Sequence, residues 1–599
     1  MKRSQPFSLF LALIVYSVSA SCAQSQQQVA DTLYTNGKIY TVSEDLPWVE
    51  AVAIKDGKFI AIGKTDRVKV MAGDATEVID LGGKFAMPGL NDAHVHMQNA
   101  YKPELLEDEI LFLPSDEDSI EELQKIIKKF AENNPDSEHL FIQNLRYSLF
   151  PNNSPTKVFI DSVVSDRPVY IISEPMHEAL FNTKALEAEG ITKDTPDPPK
   201  GMITRDPETG EPTGWMKESA CRPAWAREPK LSEEDEMLGL KGIAAYLNSV
   251  GITSVIQTHA TEPIVAAAKK LDEQGDLTIR MGISWTWNDP QEPRSLEEQL
   301  KVIEERGKYA SDMIYVDFVK ISVDGNPGST AFMLEPYVIS KHRGDPTYTD
   351  DELFETIEKA DRMGLGVTAH SIGDAGTRQF VNAIKKVKTK HGELNGRHVV
   401  SHGITIDPVE ISQLKDLDIS VEFSPVVWYP NSLTEANRPE LGDERVNRIC
   451  PMASVVKSGG RIAIASDGPI AWHEPLVTLE TAVTRKAPGG TSEALNAAEA
   501  IDVKAAIKAM TLDSAYLIKQ EDKVGSIEVG KRADMIILDK NILEIPATEI
   551  GTTKVLTTLL DGKVVFDRNK DPKGEEAIEA STGVNFDLTG AHDHRGCHL

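Results

Sequence analysis

The chain has 599 residues, 93 of them Asp or Glu against 64 Lys or Arg, for a formal net charge of −29. That length holds a large α/β core with appendages. An acidic balance with no basic stripe excludes nucleic acid as a partner.

The first residues, "MKRSQPFSLFLALIVYSVSASCAQ", join a basic start (Lys2, Arg3) to an apolar run over 7–18 and then to small residues. This predicts a secretory signal over 1–23, too short to span a bilayer, and no membrane-spanning segment is expected. Cleavage after Ala20 or Ala23 is one outcome. The other is a lipid anchor at Cys22, since "SASC" loosely resembles a bacterial lipobox with Ser19 where a leucine is usual. The protein is therefore expected to be exported, either periplasmic or a membrane-anchored lipoprotein. The remaining cysteines, Cys221, Cys450 and Cys597, are spaced like neither a disulfide framework nor a zinc ribbon.

Residues 30–88 read as short alternating strands broken by turns, as in "LYTNGKIYTV" and "VEAVAIKDGKFIAIG". Asn-Gly and Asp-Gly between such runs signal hairpins. The texture returns over 521–568 in "ADMIILD" and "VLTTLLDGKVVFD". The expectation is one composite β-sandwich built from both chain ends.

Between them, over 89–520, apolar runs alternate with helical periodicity, the pattern of βα units and a parallel sheet. Eight runs qualify: "FAMPGLNDAHVHM", "GITSVIQTHA", "LTIRMGISWTW", "IYVDFVKISVDG", "LGVTAHSIGD", "RHVVSHGI", "DISVEFSP" and "GRIAIASDG". Eight closes a (β/α)8 TIM-type barrel. Helical spacing is found at 350–363, 375–389 and 502–518. About 150 residues separate the first run from the second, too many for one helix. An insertion over about 100–230, with strands in "HLFIQNLRYS" and "PVYIISEPMHEAL", is expected to roof the barrel mouth. Residues 569–599, ending "AHDHRGCHL", read as a flexible tail.

Barrel strands deliver side chains to the mouth at their C-terminal ends. The polar residues there are His94 and His96 on the first run, Lys320 on the fourth, His370 on the fifth, His402 on the sixth and Asp467 on the eighth. On an extended strand, positions i and i+2 share a face, so His94 and His96 hold both imidazoles over one point. Any one of these histidines alone reads equally well as a hydrogen-bonded core residue. Together they predict a divalent metal site.

The chain resembles the amidohydrolase superfamily, within the metal-dependent hydrolases that include the N-substituted formamide deformylases. The resemblance runs from about residue 30 to 568, on "PGLNDAHVH", "HEALFNTKALEAEGI", "GEPTGWMKE", "VKISVDG", "AHSIGDAG", "SHG", "ASDGP" and "VGSIEVGKRADMIILD". It implies that His94, His96 and Asp467 bind one ion, that His370 and His402 bind a second, and that Lys320 bridges them as a carbamate. Two Zn(II) ions are the expected pair, with manganese, iron or cobalt fitting the same ligands. The implied activity is hydrolysis of carbon–nitrogen bonds other than peptide bonds, in small-molecule amides or N-substituted formamides. Coordination lowers the pKa of water to about 7, and Asp467, as general base, accepts its proton and returns it to the leaving nitrogen.

His177, in "SEPMHEAL", matches a histidine of the family's insertion motif and is a second catalytic candidate, meeting the carbonyl oxygen; a surface role is the other reading. His259 ends the second run and either faces substrate or supports a ligand. Asp374 either orients a ligand histidine or caps a helix. Arg485, in "AVTRKAPGG", is a candidate for a substrate anion, with a solvated arginine as the alternative. Glu218 lies in a recognisable motif without an assigned role. Six of the seven tryptophans, Trp215, Trp225, Trp285, Trp287, Trp428 and Trp472, fall where they either rim the mouth or pack the insertion against the barrel. Trp287 and Trp428 are the substrate-binding candidates, for an aromatic or bulky apolar group. The competing functions are a deaminase or cyclic-amide hydrolase of the same superfamily, a non-catalytic relative, and a metal-binding protein acting through its tail. A homodimer is one expected assembly.

Overall fold

The computed structural model describes residues 28–114, 117–174, 176–199, 201–288, 292–469 and 475–570. The signal-like start with Cys22, Trp472 and the His-rich tail with Cys597 lie outside the described residues.

The barrel strands are β1 (Leu90–Val95), β2 (Ile252–Ala260), β3 (Arg280–Thr286), β4 (Ile314–Ser322), β5 (Gly366–Ser371), β6 (Val399–His402), β7 (Ser420–Phe423) and β8 (Arg461–Ile464). They form one eight-stranded sheet in chain order, each parallel to the next. Both faces are covered, so most of their residues are buried apolar ones, as in other parallel sheets. Between β8 and β1 the ring is drawn together at the mouth. Asp467 N–H donates to the His94 carbonyl at 3.0 Å, and His96 N–H to the Gly468 carbonyl at 2.8 Å. Asp92 on β1 adds a side-chain clasp, its Oδ1 accepting from Ser466 N–H at 3.0 Å and His94 N–H at 3.2 Å.

Helices Asp350–Arg362 and Asp374–His391 follow β4 and β5 where the periodicity places them. The periodic stretch 502–518 is two helices, Val503–Ala509 and Leu512–Leu517. Asn91 on β1 meets their junction: its N–H donates to the Met510 carbonyl and its side-chain amide to the Thr511 carbonyl.

Two sheets lie before and after the barrel. One orders strands Lys58–Gly63, Ala51–Lys55, Thr32–Thr35 and Glu77–Asp80. The other joins both chain ends, in the order Lys563–Asp567, Val555–Leu560, Met535–Leu538, Phe85–Pro88, Lys38–Tyr40 and Trp48–Val49. Tyr34, Val52 and Phe59 of the first share a core with Ile39, Met535 and Leu559 of the second. Two Asp-Gly pairs form the expected hairpins, Lys55 facing Lys58 and Leu560 facing Lys563. The Asn36-Gly37 hairpin expectation is corrected. Those residues turn the chain from one sheet to the other, and a Cβ on Gly37 would stand 2.5 Å from Leu81 Cδ1. Alternation cannot tell a hairpin from a sheet crossing, since both bury every second residue.

The run "FAMPGLNDAHVHM" is likewise two strands, Phe85–Pro88 in the chain-end sheet and β1 in the barrel. Gly89 joins them because β2 passes too close for a side chain; a Cβ there would lie 2.4 Å from Thr253 Oγ1. Between β1 and β2 the insertion carries its own six-stranded sheet, ordered Gly201–Arg205, Pro212–Glu218, Glu178–Phe181, Val169–Ser173, Leu140–Leu145 and Ile110–Phe112. Among the described residues no helix is long and apolar enough to cross a membrane. Cys221 and Cys450 are free thiols, both buried.

Candidate metal centre and active site

Asp467 stands three residues past the end of β8, with φ +59° in the left-handed region. His402 ends β6 with φ +71°. Asp467 Oδ1 lies 3.5 Å from His94 Nε2 and 3.5 Å from His96 Nε2, and Oδ2 lies 3.6 Å from His402 Nδ1. The His370 ring is 4.7 Å from that of His402, and Lys320 Nζ is 3.4 Å from His94 Nε2. All six residues predicted for the metal site therefore gather in one place, five of them on barrel strands or at the residue after one.

The donor set fits a divalent cation. Ligand atoms of His94, His402 and Asp467 lie within 4.8 Å of one another. Asp467 Oδ1 is buried without a hydrogen-bond partner, although two imidazole nitrogens face it. A buried carboxylate oxygen left in that state is costly unless a cation joins it. Burial, and after it the Lys320 charge, hold His94, His259 and His370 well below the usual histidine range. At His402 burial acts first and the His370 charge next. Neutral imidazoles are the form that binds metal.

Two carboxylates escaped the sequence reading. Glu422, on β7 and wholly buried, has Oε2 2.9 Å from His94 Nδ1 and accepts the His402 N–H at 3.2 Å; its Oε1 accepts the Ser424 hydroxyl at 3.0 Å. Burial, and after it the Asp467 charge, pushes its carboxyl upward. Asp92, the clasp described above, is pushed up to about 6 by burial. The acid inside "SVEF" and the one two residues before His94 in "LNDAHV" were the only traces in the sequence, and neither names its partner.

The insertion reaches this mouth. Glu178 pairs with Lys217, which brings His177 beside Glu218 at the neighbouring strand's end. Glu218 N–H donates to the His177 carbonyl at 2.8 Å, and His177 Nδ1 lies 3.0 Å from Glu218 Oε2. The His177 ring is 5.8 Å from that of His370, so it is no isolated surface histidine. His259, at the end of β2 with φ +47°, stacks on His96 at 5.8 Å. Asp374 opens its helix and accepts Leu334 N–H at 2.7 Å, fixing a loop.

The tryptophan rim is corrected. Trp285 is buried against Tyr309, its Nε1 donating to the Val316 carbonyl. Trp215 is 1% exposed within the insertion core, and Trp225 packs on Phe141. Trp287 and Trp428 belong to the barrel core at 2% and 5% exposure, with Lys359 over the Trp287 ring. Rings of this size fill the gaps between layers, and burial there outweighs exposure at a mouth. Arg485 is not solvated: it is wholly buried, beside Cys450 and Glu499.

The chain is similar to Protein LONG AFTER FAR-RED 3 of Arabidopsis thaliana, at 28% identity over 90% of this chain and 92% of that one. It is 24% identical to N-substituted formamide deformylase of Arthrobacter pascens, over 90% of this chain and 99% of the relative. A solved uncharacterized metal-dependent hydrolase from Pyrococcus horikoshii shares the fold, with TM-score 0.65 and 24% identity over 86% of this chain and 99% of that chain. The model of the amidohydrolase family matches residues 77–566. With that match spanning the whole barrel, this chain belongs to the amidohydrolase family.

Proposed function

We propose that this enzyme hydrolyses the carbon–nitrogen bond of small-molecule amides, with N-substituted formamides the first class to test. The observation that carries the reading is the buried, unpartnered Asp467 Oδ1 facing His94 and His96. In this reading His94, His96 and Asp467 hold one divalent ion and His370 and His402 a second, zinc being the first choice for such donors. Bound metal supplies Lewis-acid polarisation of the carbonyl and a water acidic enough to lose its proton at neutral pH.

Lys320, 1% exposed, stands among these histidines, where its ammonium charge opposes a nearby cation. A carbamate on Nζ reverses that charge and offers two oxygens to the ions, which supports the carbamylated form. Asp467 takes the proton from the attacking water and delivers it to the leaving nitrogen. Glu218 orients the His177 ring through Nδ1, so that Nε2 meets the carbonyl oxygen. Glu422 fixes the His94 ring through Nδ1, turning Nε2 to the metal side.

The test is a hydrolysis screen of N-formyl, N-acyl and cyclic amides with metal-loaded protein, with Asp467→Asn as control. Turnover of an N-substituted formamide that is lost in the control is the expected result. Turnover of cyclic amides alone would move the enzyme to the competing class.

A further inference from the structure

Among the described residues two arginines are completely buried, Arg280 and Arg485, and the fold treats them in opposite ways. Arg280, on β3, donates from Nε and Nη2 to Asp534 at 3.1 and 3.2 Å and pairs also with Asp561. Arg485 has no such partner. Its exposure is 0%, no oxygen accepts from Nε or either Nη atom, and the one polar side chain against the guanidinium is the Cys450 thiol, a weak acceptor.

The acids near Arg485 do not answer it. Glu499, whose charge reaches the guanidinium, commits its two oxygens to the Ser454 N–H at 2.7 Å and the Ser454 hydroxyl at 2.5 Å. The Cys450 thiol lies beside Arg485, but burial pushes it up to about 11, so it is a neutral neighbour at physiological pH. The surrounding chain is held firmly. Arg485 N–H donates to the Thr481 carbonyl at 2.8 Å, and its carbonyl accepts Leu495 N–H at 2.8 Å. Asn496 Nδ2 donates to the Ile449 carbonyl at 3.1 Å. Arg485, Cys450 and Asn496 all take left-handed backbone, at φ +55°, +52° and +56°. Non-glycine residues strained in this way collect around bound ligands.

A guanidinium cannot shed its proton to escape burial, and an uncompensated buried charge is met by an opposite one. We propose that Arg485 is the centre of a buried binding site for a small monovalent inorganic anion of the halide class, chloride in physiological media. A halide carries the single charge required and accepts hydrogen bonds from any direction, which suits the guanidinium's five donors in a fully enclosed setting. The anion site is independent of the reaction assigned above. Its place is nonetheless close to β6. Cys450 N–H donates at 2.9 Å to the carbonyl of Ile404, two residues beyond His402. An anion here ties the 485–496 segment to the turn at Cys450.

The experiment compares the metal-loaded enzyme with Arg485→Met after exhaustive dialysis, in sodium gluconate and sodium chloride of equal ionic strength. The parent should show a saturable rise in Tm with chloride. Arg485→Met should show none, and its Tm in gluconate should equal or exceed the parent's, because the variant no longer buries an unanswered charge. A parallel chloride response in both proteins, or none in the parent, overturns the proposal. Should Arg485→Met fail to fold, crystals of the parent soaked in sodium bromide decide the matter. An anomalous peak in contact with the Arg485 guanidinium is expected, and its absence overturns the site.

Discussion

Glu422 Oε2 lies 2.9 Å from Nδ1 of His94, with both side chains sealed from solvent. The contact joins β7 to β1 across the barrel and leaves His94 Nε2 as the atom turned to Asp467 and Lys320. Carboxylates in this relation to a ligand histidine raise its basicity and fix its ring. Glu422→Gln should therefore weaken metal binding by about 10- to 100-fold, measured by chelator competition, with the far-UV spectrum unchanged. Unaltered affinity would reduce Glu422 to a packing residue.

Asp467→Asn should lower kcat by about 10²- to 10⁴-fold, the range for a lost general base. The amide occupies the same space but cannot carry the proton. Calorimetry should show a folded variant. Retention of more than about a tenth of kcat would remove Asp467 from the proton relay.

Metal removal is expected to cost stability as well as turnover. An ion that binds the native chain and not the unfolded one raises Tm by mass action. Dialysis against a chelator should lower Tm, and Zn(II) should restore both Tm and activity. A Tm indifferent to the chelator would show that the cluster is held by the fold alone.

The carbamate has its own signature. Protein exchanged with ¹³C-bicarbonate should show a slowly exchanging carbonyl resonance that Lys320→Ala lacks, and that acid abolishes. Identical spectra from the two proteins would leave Lys320 as a bare amine.

Asp361 tests the acid limit away from the site. It is wholly buried, and although burial pushes its carboxyl up, His398, the Gly396 N–H and Arg362 hold it below the usual carboxylate range. A depressed acid contributes stability above its unfolded value of 3.8 and loses it as pH falls through the lower folded value. Asp361→Asn should cost about 3–5 kcal/mol at pH 7, as for one broken partner of a buried pair. The deficit should narrow below about pH 4, read by denaturant titration at several pH values. A deficit that stays constant into acid would contradict the linkage.

The barrel was legible because parallel strands covered on both faces are continuous apolar runs, and because a polar residue closing such a run stands at the mouth. His94, His96, Lys320, His370, His402 and Asp467 were found in this way. Glu422 and Asp92 were not, since their partners sit on other strands and a lone acid in an apolar run does not name them. Asn36-Gly37 misled for a related reason: the turn is local, but which sheet each flanking strand joins is decided by distant segments. The tryptophans were placed by position along the chain, whereas packing between layers sets where a large ring points.

The passage from Phe85–Pro88 through Gly89 into β1 has a consequence for synthesis. The strand leading into His94 and His96 is flanked by Met535–Leu538, Leu538 lying opposite Phe85 and Met535 opposite Pro88. A nascent chain that has not yet reached residue 535 lacks that flank, and it lacks Asp467 until late in translation. The ribosome therefore releases nearly the entire polypeptide before the first histidines gain their full support.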